Sequence, residues 1–295
     1  MSAFKRTNPS DLQAQLEKLS NKSSFEANRE HEWTLSTDPA GNGQAIIRFL
    51  PAIPTNPDAV PFVKVFSHGF KLPTGHWFIE NCPSTIGLPC PVCEYNSTLW
   101  NSGMEEDKKI ASGQKRKTSY YANILVIKDP TNPDNNGQVK VFRFGQKIMD
   151  KIISQAAGDE DLGTQGQDIT CPFTGSNFIL KAKKVAGFPN YDDSKFAAPS
   201  EIENINDEKY ANELISKMYN IMDYISPDKF KSYEELQKKL FEKLGKKGVK
   251  TAEEELTGKS EFDEQLVQYE TASNAIASGT GSVVSDEELE KLLNS

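Results

Sequence analysis

Between residues 33 and 200 the apolar residues fall into short runs: QAIIRFLP (44–51), FVKVFSHGF (62–70), HWFIENC (76–82), SYYANILVIKD (119–129), QVKVFRFG (138–145) and NFILKAKKV (177–185). They are rich in β-branched and aromatic residues, and turn clusters such as GNG, PTNPD and DPTNPDNNG separate them. Runs of this length and texture bury one or both faces as strands, and turn residues at their ends favour antiparallel neighbours. A small antiparallel barrel carrying insertions is the architecture they predict.

Helical texture flanks this region, so the expected class is α+β. At the start, Ser10 is placed to cap a short helix whose stripe is Leu12, Leu16 and Leu19. One such helix is too short to stand alone and must dock on its own core or on a neighbouring molecule. From about residue 207 the helical pattern returns. Ser232 to Glu235 is a capping box, Leu236, Leu240 and Leu244 make a stripe, and Gly245 is suited to end it. The divisions expected are 1–20, 21–252 and 253–295.

Charge supports the last division. The 295 residues carry a formal net charge of −8, yet residues 253–295 hold 11 acidic and 2 basic residues, against 31 and 32 in residues 1–252. The Ala, Ser, Gly and Thr stretch at 271–285 has no pattern that buries anything, so the tail is expected to be disordered. At its tip Leu289, Leu292 and Leu293 give an apolar edge that could fold on a partner. No apolar run approaches the ~18 residues of a membrane span, and MSAFKRTNPSDLQ lacks the apolar region of a signal peptide. A soluble intracellular protein is the expectation, with its four cysteines as thiols or metal ligands.

Cys90-Pro-Val-Cys93 is a knuckle spacing, with Cys82, His76 and His68 upstream. Thiolates two residues apart reach one ion from the same side of a turn, and a third thiolate with an imidazole completes the tetrahedral set zinc favours. The spacing leaves open which histidine serves. Redox use of CxxC needs a strand before it and a helix after in a βαβ unit, whereas Pro89 and Pro91 bracket Cys90 here. Cys171 stands apart and reads as a buried or half-buried thiol.

Cations and aromatics interleave in three places: Lys115-Arg116-Lys117-Thr118-Ser119-Tyr120-Tyr121, Phe142-Arg143-Phe144, and Lys183-Lys184 with Phe188-Pro-Asn-Tyr191. Together they offer phosphate neutralisation, hydroxyl donors and stacking faces, the needs of a single-stranded nucleic acid. The alternative is a solvated strand edge with half-buried rings. There is no P-loop, no nucleophile and base arrangement can be argued from three histidines, and an enzyme is not expected.

GNGQAIIRFLP, SHGFK, the CPVC knuckle, KRKTSY leading into ANILVIKDP, FRFG, GF-NYD-SKF and the final LEKLLN, in this order, resemble the single-stranded DNA-binding, helix-destabilising proteins of T-even-type bacteriophages, the gene 32 protein family. The resemblance runs over essentially the whole chain. It implies an OB-fold-like barrel core with an inserted structural zinc subdomain at about 62–120, and one Zn2+ on His68, Cys82, Cys90 and Cys93. It implies DNA contacts from Arg48, Lys115, Arg116, Lys117, Tyr120, Phe142, Arg143, Phe188 and Tyr191. A basic N-terminal segment with Lys5, Arg6 and Thr7 would mediate self-association along the strand. The acidic tail would bind replication and recombination proteins, in the cytoplasm of an infected bacterial host. The function implied is cooperative, sequence-tolerant coating of single strands in replication, recombination and repair. Two other readings fit the residues alone: a zinc-containing protein-interaction scaffold, and an RNA-binding translational regulator, since stacking ignores the sugar.

Overall fold

The computed structural model describes residues 31–71, 75, 77–159, 161 and 163–244. The expected N-terminal helix with Lys5, Arg6 and Thr7, the acidic tail with Leu289, Leu292 and Leu293, and His76 and Gly245 lie outside them. The described residues up to Leu240 form one compact unit, and of the second unit only Phe241–Leu244 is described.

Among the described residues eleven strands and five α-helices alternate in an α+β order. The strands are β1 (Glu32–Trp33), β2 (Gly43–Phe49), β3 (Val63–Lys71), β4 (Trp77–Asn81), β5 (Lys117–Lys128) and β6 (Val139–Phe144), then β7 (Gly158–Asp159), β8 (Thr164–Gln165), β9 (Ser176–Val185), β10 (Phe188–Asn190) and β11 (Lys195–Pro199). The helices are α1 (Pro91–Asn101), α2 (Glu105–Gly113), α3 (Gln146–Ala157), α4 (Glu208–Ser216) and α5 (Tyr233–Leu244). Each apolar run named above became a strand, shifted by a residue or two at its ends.

β5 organises the sheet. Its first residues pair with β3, as Ser67 opposite Lys117 and Val63 opposite Tyr121, and its last with β2, as Phe49 opposite Ile124 and Ile46 opposite Lys128. Its other edge pairs with β6 from Tyr120 opposite Phe144 to Leu125 opposite Val139. β2 continues to β9, and β9 to β10 and β11, all antiparallel, while β1 lies parallel on β6. The nine-stranded path therefore runs β1-β6-β5-β2-β9-β10 with β3 and β4 branching from β5. Among the described residues no ladder joins β10 or β11 back to β1, β4 or β6, so the sheet is open. The expected antiparallel barrel is corrected on this point, since it does not close: β5 gives one edge to two different partners in succession, and the sheet forks where a barrel would continue round.

One core lies between the sheet and α3, where Ile47, Phe49, Ile124, Phe142, Phe144, Phe178 and Leu180 meet Ile148, Met149 and Ile152. On the opposite face of β3, β5 and β6, Val63, Val65, Tyr121 and Val141 pack under the turn Ile221–Ile225, and Leu125 and Val139 under α4. A strand covered on both sides reads as a continuous apolar run, as ANILV does. The capping box predicted at Ser232 forms with both bonds made: Glu235 N donates to Ser232 Oγ at 3.2 Å, and Ser232 N donates to Glu235 Oε2 at 3.0 Å. Leu236 and Leu240 are fully buried.

Candidate metal centre and nucleic-acid interface

β3 presents His68, β4 ends just before Cys82, and Cys90 is the residue that begins α1, with Cys93 in its first turn. Pro91 fits here because the first helical residue has no hydrogen bond to lose and its φ is already helical. The helix start lifts Cys93 over Cys90, and the ladder opposes His68 to Glu80, two residues before Cys82. The four ligand atoms come within 4.8 Å of one another. His68 Nε2 stands 3.4 Å from Cys90 Sγ and 3.6 Å from Cys93 Sγ, and Cys82 Sγ stands 3.5 Å from Cys93 Sγ. A zinc tetrahedron has S···S edges of about 3.8 Å and S···N edges of about 3.6 Å from its usual bond lengths. The donor set and its spacing fit that ion.

Electrostatics agree. Burial works against a charge on His68, but hydrogen bonds to Cys82 and Cys93 outweigh it and push its pKa up to about 9. The Cys82 thiol is pushed down by hydrogen bonds from Cys90 and Cys93, while the same kind of contact, from Cys82 and Cys93, pushes Cys90 up. Three sulfurs and an imidazole so crowded favour positive charge at their centre. Cys171 lies outside the group.

Ser84 joins this centre to the basic run. Its Oγ is 3.0 Å from Cys82 Sγ and accepts from Arg116 Nη1 at 3.0 Å, while the Arg116 guanidinium lies 4.1 Å over the Phe66 ring. Lys64 also stands over Phe66, at 5.1 Å, and Lys115 over Trp100, at 5.1 Å. Lys115, Arg116 and Lys117 are all exposed. Alternation along the strand sends Arg116 and Lys117 to opposite faces.

At the end of β6, Arg143 donates from Nε and Nη2 to Ser119 Oγ at 3.1 and 3.0 Å. It lines a cleft of about 280 Å³ with Ser119, Tyr191, Thr34 and Gly145, floored by Phe142, Phe144 and Leu180. Tyr120 stacks on Phe144 at 5.8 Å and donates to Gln146 Oε1 at 2.8 Å. Arg143 and Tyr191, far apart in sequence, thus meet at one cleft, and Tyr120 packs on Phe144, which also lines it. Gln146 and Thr34 were missed by the sequence reading, and neither carries a charge or ring that would mark it. Phe188 sits on the β9–β10 hairpin, 74% exposed.

Two of the expected contacts are corrected. Arg48 is fully buried, donating from Nη2 to the carbonyls of Cys171 and Ser200, both at 2.8 Å, and from Nη1 to Asn177 Oδ1 at 3.3 Å. With its guanidinium inside the protein it holds the loops around β9 and faces no phosphate. Phe142 is 5% exposed and packs edge-on against Trp33 at 5.3 Å, so its ring belongs chiefly to the core beneath the cleft rather than standing out as a stacking plate.

No helix among the described residues is long and apolar enough to cross a membrane. Residues 41–244 match the family described as gp32 DNA binding protein like. The chain is 49% identical over 245 residues to the single-stranded DNA-binding protein of Enterobacteria phage T2, covering 82% of this chain and 80% of that one. It is 48% identical over 244 residues to the protein of the same name from Enterobacteria phage T4, covering 82% and 79%. A match over most of its length, from the turn before β2 through the cysteine cluster to the end of α5, shows that the chain belongs to the gp32-like DNA-binding protein family.

Proposed function

We propose that this protein binds single-stranded DNA without sequence preference, holding phosphates on lysine and arginine and bases on aromatic faces. The observation that carries the reading is the meeting of Arg143 and Tyr191 at one cleft, with Tyr120 stacked on its Phe144 wall and the exposed Lys115, Arg116 and Lys117 leading into the strand of Ser119 and Tyr120. Stacking is sequence-tolerant because every base has a π face, and it requires a strand whose bases are unpaired. A protein that binds the single strand and not the duplex draws melting forward by mass action.

His68, Cys82, Cys90 and Cys93 would hold one zinc, which supplies folding energy to the β3–β4 and α1 region. Four protein donors fill the tetrahedron, so the role is structural. Through Ser84 the same centre orients Arg116. Residues 1–20, 21–252 and 253–295 act as a segment for protomer contact, a DNA-binding body of OB-like descent and an acidic tail for replication and recombination proteins. The setting is the cytoplasm of an infected bacterium.

The test is a titration of the full chain with oligo(dT) and with a duplex of equal length at one stated salt concentration. The reading expects tight binding to the first and weak binding to the second. Equal affinities, or no binding to either, would overturn it.

A further inference from the structure

The face of β3, β4 and β5 that carries Val63, Val65 and Tyr121 is covered at one end by the turn Ile221–Ile225. At the other end it is open. Alternation puts Ser67, Gly69 and Lys71 of β3, Trp77 and Ile79 of β4, and Lys117 and Ser119 of β5 on this face. The ladders set Trp77 opposite Lys71, Ile79 opposite Gly69 and Lys117 opposite Ser67. Arg143, opposite Tyr121 and bonded to Ser119, continues the strip onto β6.

Trp77 and Ile79 are each 58% exposed, an uncommon state for two neighbouring large apolar side chains on an edge strand. The floor beside them is flat, because Gly69 has no side chain: a methyl group there would meet only Lys117 Nζ, at 3.6 Å. The strip therefore offers an apolar plate, the cations Lys71, Lys117 and Arg143 along it, and the hydroxyl of Ser67, while the buried Ser119 hydroxyl holds Arg143 in place. None of its positions is a carboxylate. Strand spacings put its two ends about 30 Å apart. A flexible polyanion with flat apolar faces matches this surface in both charge and shape.

We propose that Trp77 and Ile79 form a base-stacking plate, flanked by Lys71 and Lys117, which carries a single strand from Arg143 across the β3–β4 hairpin. The proposal rests on the single-strand reading above and adds contacts to it. Trp77 is a binding residue that its place in the sequence does not single out, since HWFIENC reads as a strand with ordinary alternation.

The experiment uses the full chain and the fluorescence of its tryptophans, Trp33, Trp77 and Trp100. Trp33 is buried. Oligo(dT) should quench the wild type and Trp100→Phe, and most of the quenching should vanish in Trp77→Phe, whose affinity stays within about twofold. Trp77→Ala should weaken binding by about 5- to 150-fold, the range for loss of one stacked base, with the salt slope unchanged. Lys71→Ala should instead flatten that slope by roughly 0.7. Should Trp77→Ala be less stable, the Trp77→Phe quenching and the Lys71→Ala slope decide. Wild-type affinity in Trp77→Ala, or quenching retained in Trp77→Phe, overturns the plate while leaving the wild type a single-strand binder. Tighter binding by Trp77→Ala also overturns it, since that is the result expected if the patch holds the acidic residues 253–295. A wild type that does not bind oligo(dT) overturns both readings.

Discussion

The indole Nε1 of Trp33 donates to Asp129 Oδ2 at 2.9 Å, across 96 residues of chain. β1 is only two residues long and lies parallel on β6, so its ladder is weak support. The side-chain bond does much of the fastening. Asp129 is 1% exposed and also accepts from Asn135 Nδ2 at 3.0 Å and from the backbone N–H groups of Asn132 and Thr131 at 3.0 and 3.2 Å. Burial opposes its ionisation, but these donors outweigh burial and hold its pKa below the ordinary carboxylate value.

A folded pKa below the unfolded one gives stability that is complete above the unfolded value, about 3.9, and is lost as pH falls through the folded value. Asp129→Ala should therefore cost about 1–3 kcal/mol near pH 7, through the donors it strands. The gap to wild type should narrow as pH falls below the ordinary carboxylate value of about 3.9. Urea melts at the two pH values check both statements, and a gap that does not change with pH would refute the assignment.

If the cysteine cluster binds zinc, Cys90→Ser should lower metal content and thermal stability together, and a chelator should do the same to the wild type. Cys171→Ser and His76→Ala should leave one zinc per chain. Metal analysis beside a thermal melt gives the answer, and a wild type without metal removes the site.

Basic and aromatic residues should fail in different ways. Loss of Arg116 or Lys117 should weaken binding to all sequences alike and flatten the salt dependence by roughly 0.7 per phosphate contact on a single strand. Tyr120→Ala or Tyr191→Ala should cost about 1–3 kcal/mol of binding with little change in slope. Phe142→Ala and Arg48→Ala, by contrast, should act on stability: about 3–5 kcal/mol for the ring removed from the core, and about 1–3 kcal/mol for the carbonyls of Cys171 and Ser200 left unpaired. Affinity titrations at several salt concentrations, paired with denaturation, separate the two groups.

Removing residues 253–295 takes the formal charge from −8 to +1. A tethered polyanion competes with DNA at an effective concentration that can reach the order of mM. The truncated chain should bind single strands more tightly, most clearly at low salt where screening is least. Unchanged affinity at low ionic strength would leave the tail no competitive role.

Strand positions were legible because β-branched runs between turn residues have few other outcomes, and the Ser232 box was legible because its chemistry is local. The cysteine cluster could be read to three ligands; spacing alone did not choose between His68 and His76. Arg48 and Phe142 were misread for one physical reason. Alternation assigns a side chain to a face, but whether that face is covered depends on segments distant in sequence, here the loops of Cys171 and Ser200 and the Trp33 ring. The open sheet escaped for a related reason: nothing in the β5 run reveals that its two halves pair with different strands. α3 was missed because its apolar residues, Ile148, Met149 and Ile152, follow a β run with only Gly145 between.

Ser67 and Lys117 face each other across the β3–β5 ladder, and everything that builds the cysteine centre lies between them in sequence. Facing Cα atoms in such a ladder are about 5 Å apart. Residues 68–116 thus leave the β3–β5 ladder and return to it at nearly one point, so their length adds little closure entropy to the rest of the fold. They have the form of a cassette: a hairpin tip that has been enlarged into a metal-holding module, and that could be exchanged for a short turn, or carried to another hairpin, with its own donors intact.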